Sequence, residues 1–199
     1  MRIATGARGA GSRWAATAET WGSTAAERAA PLPCDRHLPG ADGVLHRAVD
    51  IDASPVTVFR WLCQLRAAPY SYDLIDNFGR RSPQRLTPGL EQLEVGQRFM
   101  TIFDLVEFEQ DRQITLVVRE RARWAFGAAA VTYAVSARDV EGLSRPHDGS
   151  RPQDASHPQD GSRLLVRIAS KRSGRLLPWL DLVMMRRQLL NLKALAEGS

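Results

Sequence analysis

Apolar and polar positions alternate over residues 44–51, with Leu45, Arg47, Val49 and Ile51 on one side and Val44, His46 and Ala48 on the other. That period of two is the mark of a half-buried strand. The period then changes. Ser54 and Pro55 predict a helix start, the serine as N-cap and the proline at the first helical position. An apolar stripe through Val58, Phe59, Leu62, Cys63 and Leu65 carries the helix over 56–65. Residues 67–93, broken by Pro69, Gly79, Pro83, Pro88 and Gly89, predict an irregular excursion with a short helix at 74–78. Strand-like runs follow at 98–109, 113–119, 123–126 and 131–138, rich in Val, Ile, Phe, Tyr and Thr and separated by short turns, as in an antiparallel meander. One more alternating run covers 163–171. Pro178 then opens a final helix over 179–196, with apolar positions Trp179, Leu182, Val183, Leu189, Leu190, Leu192 and Leu195. At ~1.5 Å per residue that helix is roughly 27 Å long, enough to cross a whole sheet.

Two segments lack this patterning. Residues 1–43 are rich in Gly, Ala and Pro and read as a flexible, disordered leader, with a weak alanine-driven helix over 14–30. Residues 145–162 repeat DGSR and PQD and hold one aliphatic residue, Ala155. Such a stretch has no means of packing and reads as a disordered loop inserted between strands. The remainder of 44–199 forms one domain. Strand, helix, excursion, strands and long helix, in that order, predict an α+β fold in which a curved antiparallel sheet wraps around the C-terminal helix.

Charge changes the picture only locally. The 199 residues carry 27 Lys and Arg against 22 Asp and Glu, a net charge of +5. Residues 163–199 hold eight of the cations and two of the anions, so the basicity belongs to the last strand and helix. Without a zinc-finger, helix-turn-helix or RNA-binding pattern, nucleic acid is not expected as a partner. The longest uncharged apolar stretch, 124–135, falls short of the ~20 residues of a membrane span, so no integral membrane segment is expected. Cys34 and Cys63 form no CxxC, and the N-terminus lacks the apolar core of a signal peptide. A cytoplasmic protein with reduced thiols is the expectation.

Three stretches resemble a known family: LHRAVDIDASPVTVFRWLCQLR at 45–66, APYSYDLIDNFGRRSP with LTPGLEQLEVGQRF within 68–99, and LPWLDLVMMRRQLLNLKALAE at 177–197. They are similar to the START-like, or SRPBCC, superfamily with the helix-grip fold. The middle stretch resembles a bacterial branch named polyketide cyclase/dehydrase. The resemblance implies a cavity between the sheet's concave face and the closing helix, used to bind or transform an apolar small molecule. Fold alone does not fix which, and no catalytic motif of an enzymatic subgroup matches here.

The residues offer limited chemistry. His37 and His46 are isolated, His147 and His157 lie in the low-complexity loop, and Cys34 with His37 gives two ligands where zinc takes four. No metal and no cofactor are expected. Cys63, on the apolar stripe, reads as a small buried hydrophobe, and without GxSxG a covalent mechanism is not expected. Tyr70, Ser71, Tyr72 and Asp73 form the one polar-aromatic concentration, followed by Asp76, Asn77, Arg80 and Arg81. One reading makes it a lid, with Tyr72 and Asp73 offering a hydroxyl and a carboxylate to a ligand. The other has the tyrosines plugging the sheet edge and the aspartates pairing with the arginines. On a regular strand Glu107 and Glu109 share a face with Thr101 and Phe103, so Glu107 is an acid/base candidate beside Tyr72 and Asp73, or an ordinary solvent-facing glutamate. The expected ligand-lining residues are Phe59, Leu62, Tyr70, Tyr72, Phe99, Phe103, Trp124, Tyr133, Trp179 and Val183. The leading expectation is non-enzymatic binding of a hydrophobic small molecule, such as a lipid or polyketide. A cyclase or dehydratase-like lyase is the first alternative, and a partner-binding module using the basic C-terminal helix is the second.

Overall fold

A computed structural model describes residues 18–73, 79–138, 161–171 and 177–199, with the side chains of 177 and 178 excepted. The helix expected at 74–78 and nearly all of the low-complexity loop lie outside the described residues. The first alternating run is strand β1 (Gly43–Ile51). Helix α1 (Ala25–Ala29) and helix α2 (Pro33–His37) precede it. Helix α3 (Pro55–Cys63) follows, its Ser54 side chain accepting from the Thr57 amide and Pro55 in the first turn. Strands β2 (Arg98–Phe99), β3 (Phe103–Glu109) and β4 (Gln113–Val118) come next. The chain then passes through a single turn, α4 (Arg123–Phe126), into β5 (Ala129–Ala137), β6 (Ser162–Ser170) and the long α5 (Leu177–Glu197).

All six strands form one open antiparallel sheet in the order β1-β6-β5-β4-β3-β2. Leu45, Ile168, Val131, Leu116 and Leu105 stand opposite one another in a row across five strands. All five are buried in the core against α3 and α5. The fold is the expected α+β arrangement, a curved sheet with the long C-terminal helix packed on it.

Helix α5 buries Leu182, Met185, Leu189, Leu192 and Ala196, spaced by three and four residues as a single packing stripe requires. Trp179 and Val183 sit about 100° and about 145° round the helix from that stripe. They are accordingly 41% and 52% exposed. Their expected place inside the grip is therefore corrected: the stripe is narrower than the helix's apolar content.

Residues 123–126 are not a strand. The 3₁₀ turn Glu120–Ala122 leads straight into α4, and Gly127, at φ +74°, ends it. Trp124 and Phe126 are left on the surface, 83% and 58% exposed.

A third correction concerns β3. Its register with β4 slips between Leu105, opposite Leu116, and Glu107, opposite Thr115. Val106 is the extra residue of a β-bulge, which shifts the later side chains to the other face. Phe103, Leu105 and Phe108 therefore face the core side, and Glu107 points to the convex face.

That convex face carries a polar row, His46, Arg167, Thr132, Thr115 and Glu107, again one residue per strand. Residues 18–42, within the stretch read as a leader, lie over it. The Cys34 amide donates to Thr132 Oγ1 (2.9 Å). Arg167 meets Asp35 at 2.6 Å, and Glu107 takes up both Arg36 and, at 2.9 Å, His37. Helix α1 starts in a Thr24/Glu27 capping box, and its last carbonyls are bound by Arg167. The cover buries Ala18, Pro33 and Cys34 and is held beyond that by hydrogen bonds and ion pairs.

Candidate functional site

The irregular excursion is tied to the helices by side-chain amides. Gln188 Nε2 donates to the Pro69 carbonyl (2.6 Å) and Asn191 Nδ2 to the Tyr70 carbonyl (2.8 Å). These two residues, three apart on α5, share a face of the helix. On the far side, Gln64 makes a reciprocal pair with the Thr87 backbone at 2.9 and 3.3 Å. The pull on residues 69–70 leaves Tyr70 at φ +56°, a left-handed conformation that costs a non-glycine residue energy. Its ring is held edge-on against Trp61, with centroids 6.2 Å apart. The Tyr70 hydroxyl is buried with no hydrogen-bond partner among the described residues, and burial pushes it up to about 12.

Between this loop and α5 opens a cleft of about 640 Å³. One wall is the turn at 70–73, the return strand of the loop supplies Ser82 and Gln84, and α5 supplies Arg187, Asn191 and Leu195. Asp73 shapes the turn: its carboxylate accepts from the Ser82 amide (2.9 Å) and from Ser82 Oγ (2.5 Å). Both oxygens are thereby occupied in holding the loop. Among the described residues no carboxylate pairs with Arg187. The cleft thus combines one cationic group, amide and hydroxyl groups, and apolar surface from Leu195 and Tyr72.

The core beneath is polar at one point. Arg47, its side chain wholly buried, reaches Asp181 of α5 at 2.8 Å. Burial lowers the Arg47 guanidinium's affinity for its proton, and burial raises the Asp181 carboxyl to about 6 in spite of the arginine beside it. Tyr133 Oη donates to Gln188 Oε1 (2.8 Å), and burial raises its hydroxyl far above the usual phenol range. Gln188 therefore links the sheet to the cleft loop.

The predicted site residues scatter over this frame. Tyr70, Tyr72 and Asp73 line the cleft. Phe59, Leu62, Phe99 and Tyr133 are fully buried core, and Phe103 packs at its margin. Trp124, Trp179 and Val183 are on the surface, and Glu107 is across the sheet. The sequence reading missed Arg187 and Asn191, which share a face of the last helix at a spacing of four. It also missed Arg47, a cation among the inward positions of an otherwise apolar strand face. His46, too far from other ligating residues in the sequence to suggest a metal site, accepts from Arg167 Nε (3.1 Å), and burial first, then Arg167, lowers it to about 4. Both cysteines are buried and unbridged, and burial raises Cys63 to about 12. Among the described residues no cluster of three His, Cys, Asp or Glu is placed to hold a metal ion, and no helix is long and apolar enough to cross a membrane.

No family model matches the chain, and no curated protein matches it. Solved structures similar to it include protein MLL2253 from Mesorhizobium loti, at 13% identity and a TM-score of 0.46, covering 78% of this chain and 98% of that one. Protein CV1439 from Chromobacterium violaceum is similar at 12% identity and 0.46, with the same coverage of 78% and 98%.

Proposed function

We propose that this chain is a small-molecule-binding protein of the START-like, helix-grip kind, and that it takes an amphipathic ligand in the cleft between the 70–84 loop and α5. The observation that carries the reading is Arg187, a cation with no carboxylate partner among the described residues, set in a cleft whose other surfaces mix amide, hydroxyl and apolar groups. A guanidinium presents a rigid fork suited to a carboxylate, sulfonate or phosphate. Leu195 and the Tyr72 ring offer apolar surface to the rest of the ligand. Ligand pockets commonly have volumes of about 300–1,000 Å³, and this cleft lies within that range.

Binding rather than turnover is what the geometry favours. Acid–base chemistry through Tyr72, Asp73 and Glu107 would need the three within reach of one substrate. Glu107 faces the opposite side of the sheet, and both Asp73 oxygens are engaged by Ser82. The test uses anilinonaphthalene sulfonate, an apolar ring system bearing one anionic group, titrated against the folded full-length chain. Saturable binding is expected, falling at least about tenfold in Arg187→Gln, since a charge-assisted contact is worth that much or more. Ala194→Trp, which fills the cleft wall from an exposed helix position, is expected to abolish it. Binding untouched by either substitution would place the probe elsewhere and overturn the reading.

A further inference from the structure

Tyr70 stands at the cleft with a hydroxyl that the fold does not use. The residue forms part of the cleft wall with Tyr72 and Asp73 and is 1% exposed. Among the described residues its hydroxyl is the one buried side-chain polar atom of that wall without a hydrogen-bond partner. Burying a hydroxyl unpaired forfeits its hydration and returns nothing. The same residue carries a second cost, its φ of +56°, which a bulky side chain rarely adopts. Strain of this kind persists only where the surroundings over-determine it, and it gathers at ligand sites. Here Gln188 and Asn191 hold the carbonyls of Pro69 and Tyr70 (2.6 and 2.8 Å), and Trp61 meets the ring edge-on. The place of the hydroxyl is thus fixed before any ligand arrives.

Burial, and after it the charge of Asp73, raises this phenol to about 12, so at neutral pH it keeps its proton and stands ready to donate it to an acceptor. Asp73 does not take that bond: its oxygens are turned to the Ser82 amide and hydroxyl (2.9 and 2.5 Å). The space beside α5 also extends past the cleft. A second hollow of about 290 Å³ adjoins it, sharing Gln84, Ala194 and Leu195 and adding Trp61 and Leu86. Arg187, Asn191 and Ala194, at spacings of four and three, run along one face of α5 toward that hollow. Tyr70 lines the first hollow and rests on Trp61, which lines the second, so it links the two.

We propose that the ligand is an amphipathic anion carrying an uncharged oxygen acceptor on its chain, and that Tyr70 Oη donates to that oxygen while Arg187 holds the anionic end. This assignment rests on the cleft being the binding site. Because water does not reach the hydroxyl, its bond to the ligand displaces none, and an analogue lacking the oxygen leaves the donor unpaired. The test measures displacement of anilinonaphthalene sulfonate from the full-length chain by decanoate and by oxadecanoates, in which one oxygen replaces a methylene at each chain position in turn. An ether oxygen accepts without donating and leaves the chain length unchanged. Each probe is measured on the native sequence and on Tyr70→Phe, so the cost of placing an oxygen in an apolar chain cancels in the cycle. At the chain position that meets the hydroxyl, the native protein is expected to favour the oxygen at least about fivefold more than Tyr70→Phe does. Arg187→Gln should weaken every probe alike. Tyr70→Phe should leave the urea midpoint unchanged or raised, because the hydroxyl it removes has no partner. A lowered midpoint, or equal preference at every chain position while decanoate still binds through Arg187, would overturn the assignment and leave the cleft as the binding site. Decanoate that fails to bind, or binds equally to Arg187→Gln, would overturn both.

Discussion

Replacing Arg167 by methionine tests whether residues 18–42 are part of the folded domain. The side chain is 5% exposed and its guanidinium is fully engaged. Nε donates to His46 Nε2 (3.1 Å), Nη1 to Asp35 (2.6 Å), and Nη2 to the carbonyls of Glu27, Arg28 and Ala30 (3.1, 2.9 and 2.7 Å). Nη2 has two hydrogens for three carbonyls, so one bond is shared. The carbonyls are those left without partners at the end of α1, where a cation also meets the negative end of the helix dipole. Hydrogen bonds to a charged group contribute about 1.5–3 kcal/mol each, and removing one partner of a buried pair costs about 3–5 kcal/mol. The losses do not add, because the segment can lift off and let water satisfy its carbonyls; releasing it caps the cost. About 3–5 kcal/mol on urea unfolding is the expected outcome, with a smaller loss for Arg167→Lys, which keeps the charge but not the fork. Trypsin gives an independent readout, since release exposes the bonds after Arg28 and Arg36. His46 should titrate above its present value of about 4, because the neighbouring charge is gone, yet stay depressed by burial, the larger cause. A stability change under about 1 kcal/mol, together with unchanged resistance at Arg28 and Arg36, would refute the reasoning.

Three further outcomes follow from buried groups. Burial holds Asp181 at about 6, above its unfolded value of 3.8, so the folded state binds more protons between those pH values. The aspartate's contribution is complete below that window and declines as pH rises through it; urea midpoints across the window should lose this component of slope in Asp181→Asn. Tyr133→Phe removes the hydroxyl that donates to Gln188 Oε1 at 2.8 Å, leaving a buried acceptor unpaired, and should cost about 1–2 kcal/mol in the same assay. Both cysteines are buried and burial raises both thiols, so a disulfide-exchange reagent should find neither in the native protein and both in guanidinium; prompt native reaction at Cys63 would contradict its placement.

Local period made the frame legible. The alternation at 44–51, the Ser54 and Pro55 helix start and the long closing helix all reappear, because each is set by neighbours within a few residues. What was not legible depends on one-residue choices. The run at 123–126 carries strand-type residues, but Gly127 supplies the φ of +74° that closes a helical turn there. In α5 the apolar content is wider than the stripe that packs, and only contact with the sheet decides which leucines are used. Glu107 was aimed wrongly for a similar reason: nothing in FDLVEFE marks Val106 as the bulge, yet that single insertion carries the glutamate from the core side to the convex face. The cleft was half visible. Tyr70 to Asp73 stood out as a polar-aromatic concentration, whereas its other wall belongs to α5, more than a hundred residues later in the chain, and sequence spacing cannot announce that meeting.

Charge counted by segment misleads for a related physical reason. Residues 163–199 look like a free basic surface, eight cations against two anions. Yet Arg163 is bound to Glu27 (2.7 Å) and Asp50 (3.1 Å), Arg167 to Asp35 (2.6 Å) and Lys193 to Glu197 (2.8 Å), while Arg186 lies 5.6 Å from the centre of the Trp21 ring. The Arg163 guanidinium in turn holds the Glu27 carboxyl down at about 2. Two of those counterions, Glu27 and Asp35, come from the stretch that composition alone assigns to a loose leader. A segment that buries little beyond Ala18, Pro33 and Cys34 cannot dock by burial alone, and an arginine-bearing convex sheet face cannot stay dry without acceptors. Each supplies what the other lacks. The surplus on the last strand is therefore the adhesive for the N-terminal cover. Of the described cations on α5, Arg187 alone is left without a carboxylate or a ring beside it, and it stands at the cleft where a ligand from outside the chain is proposed.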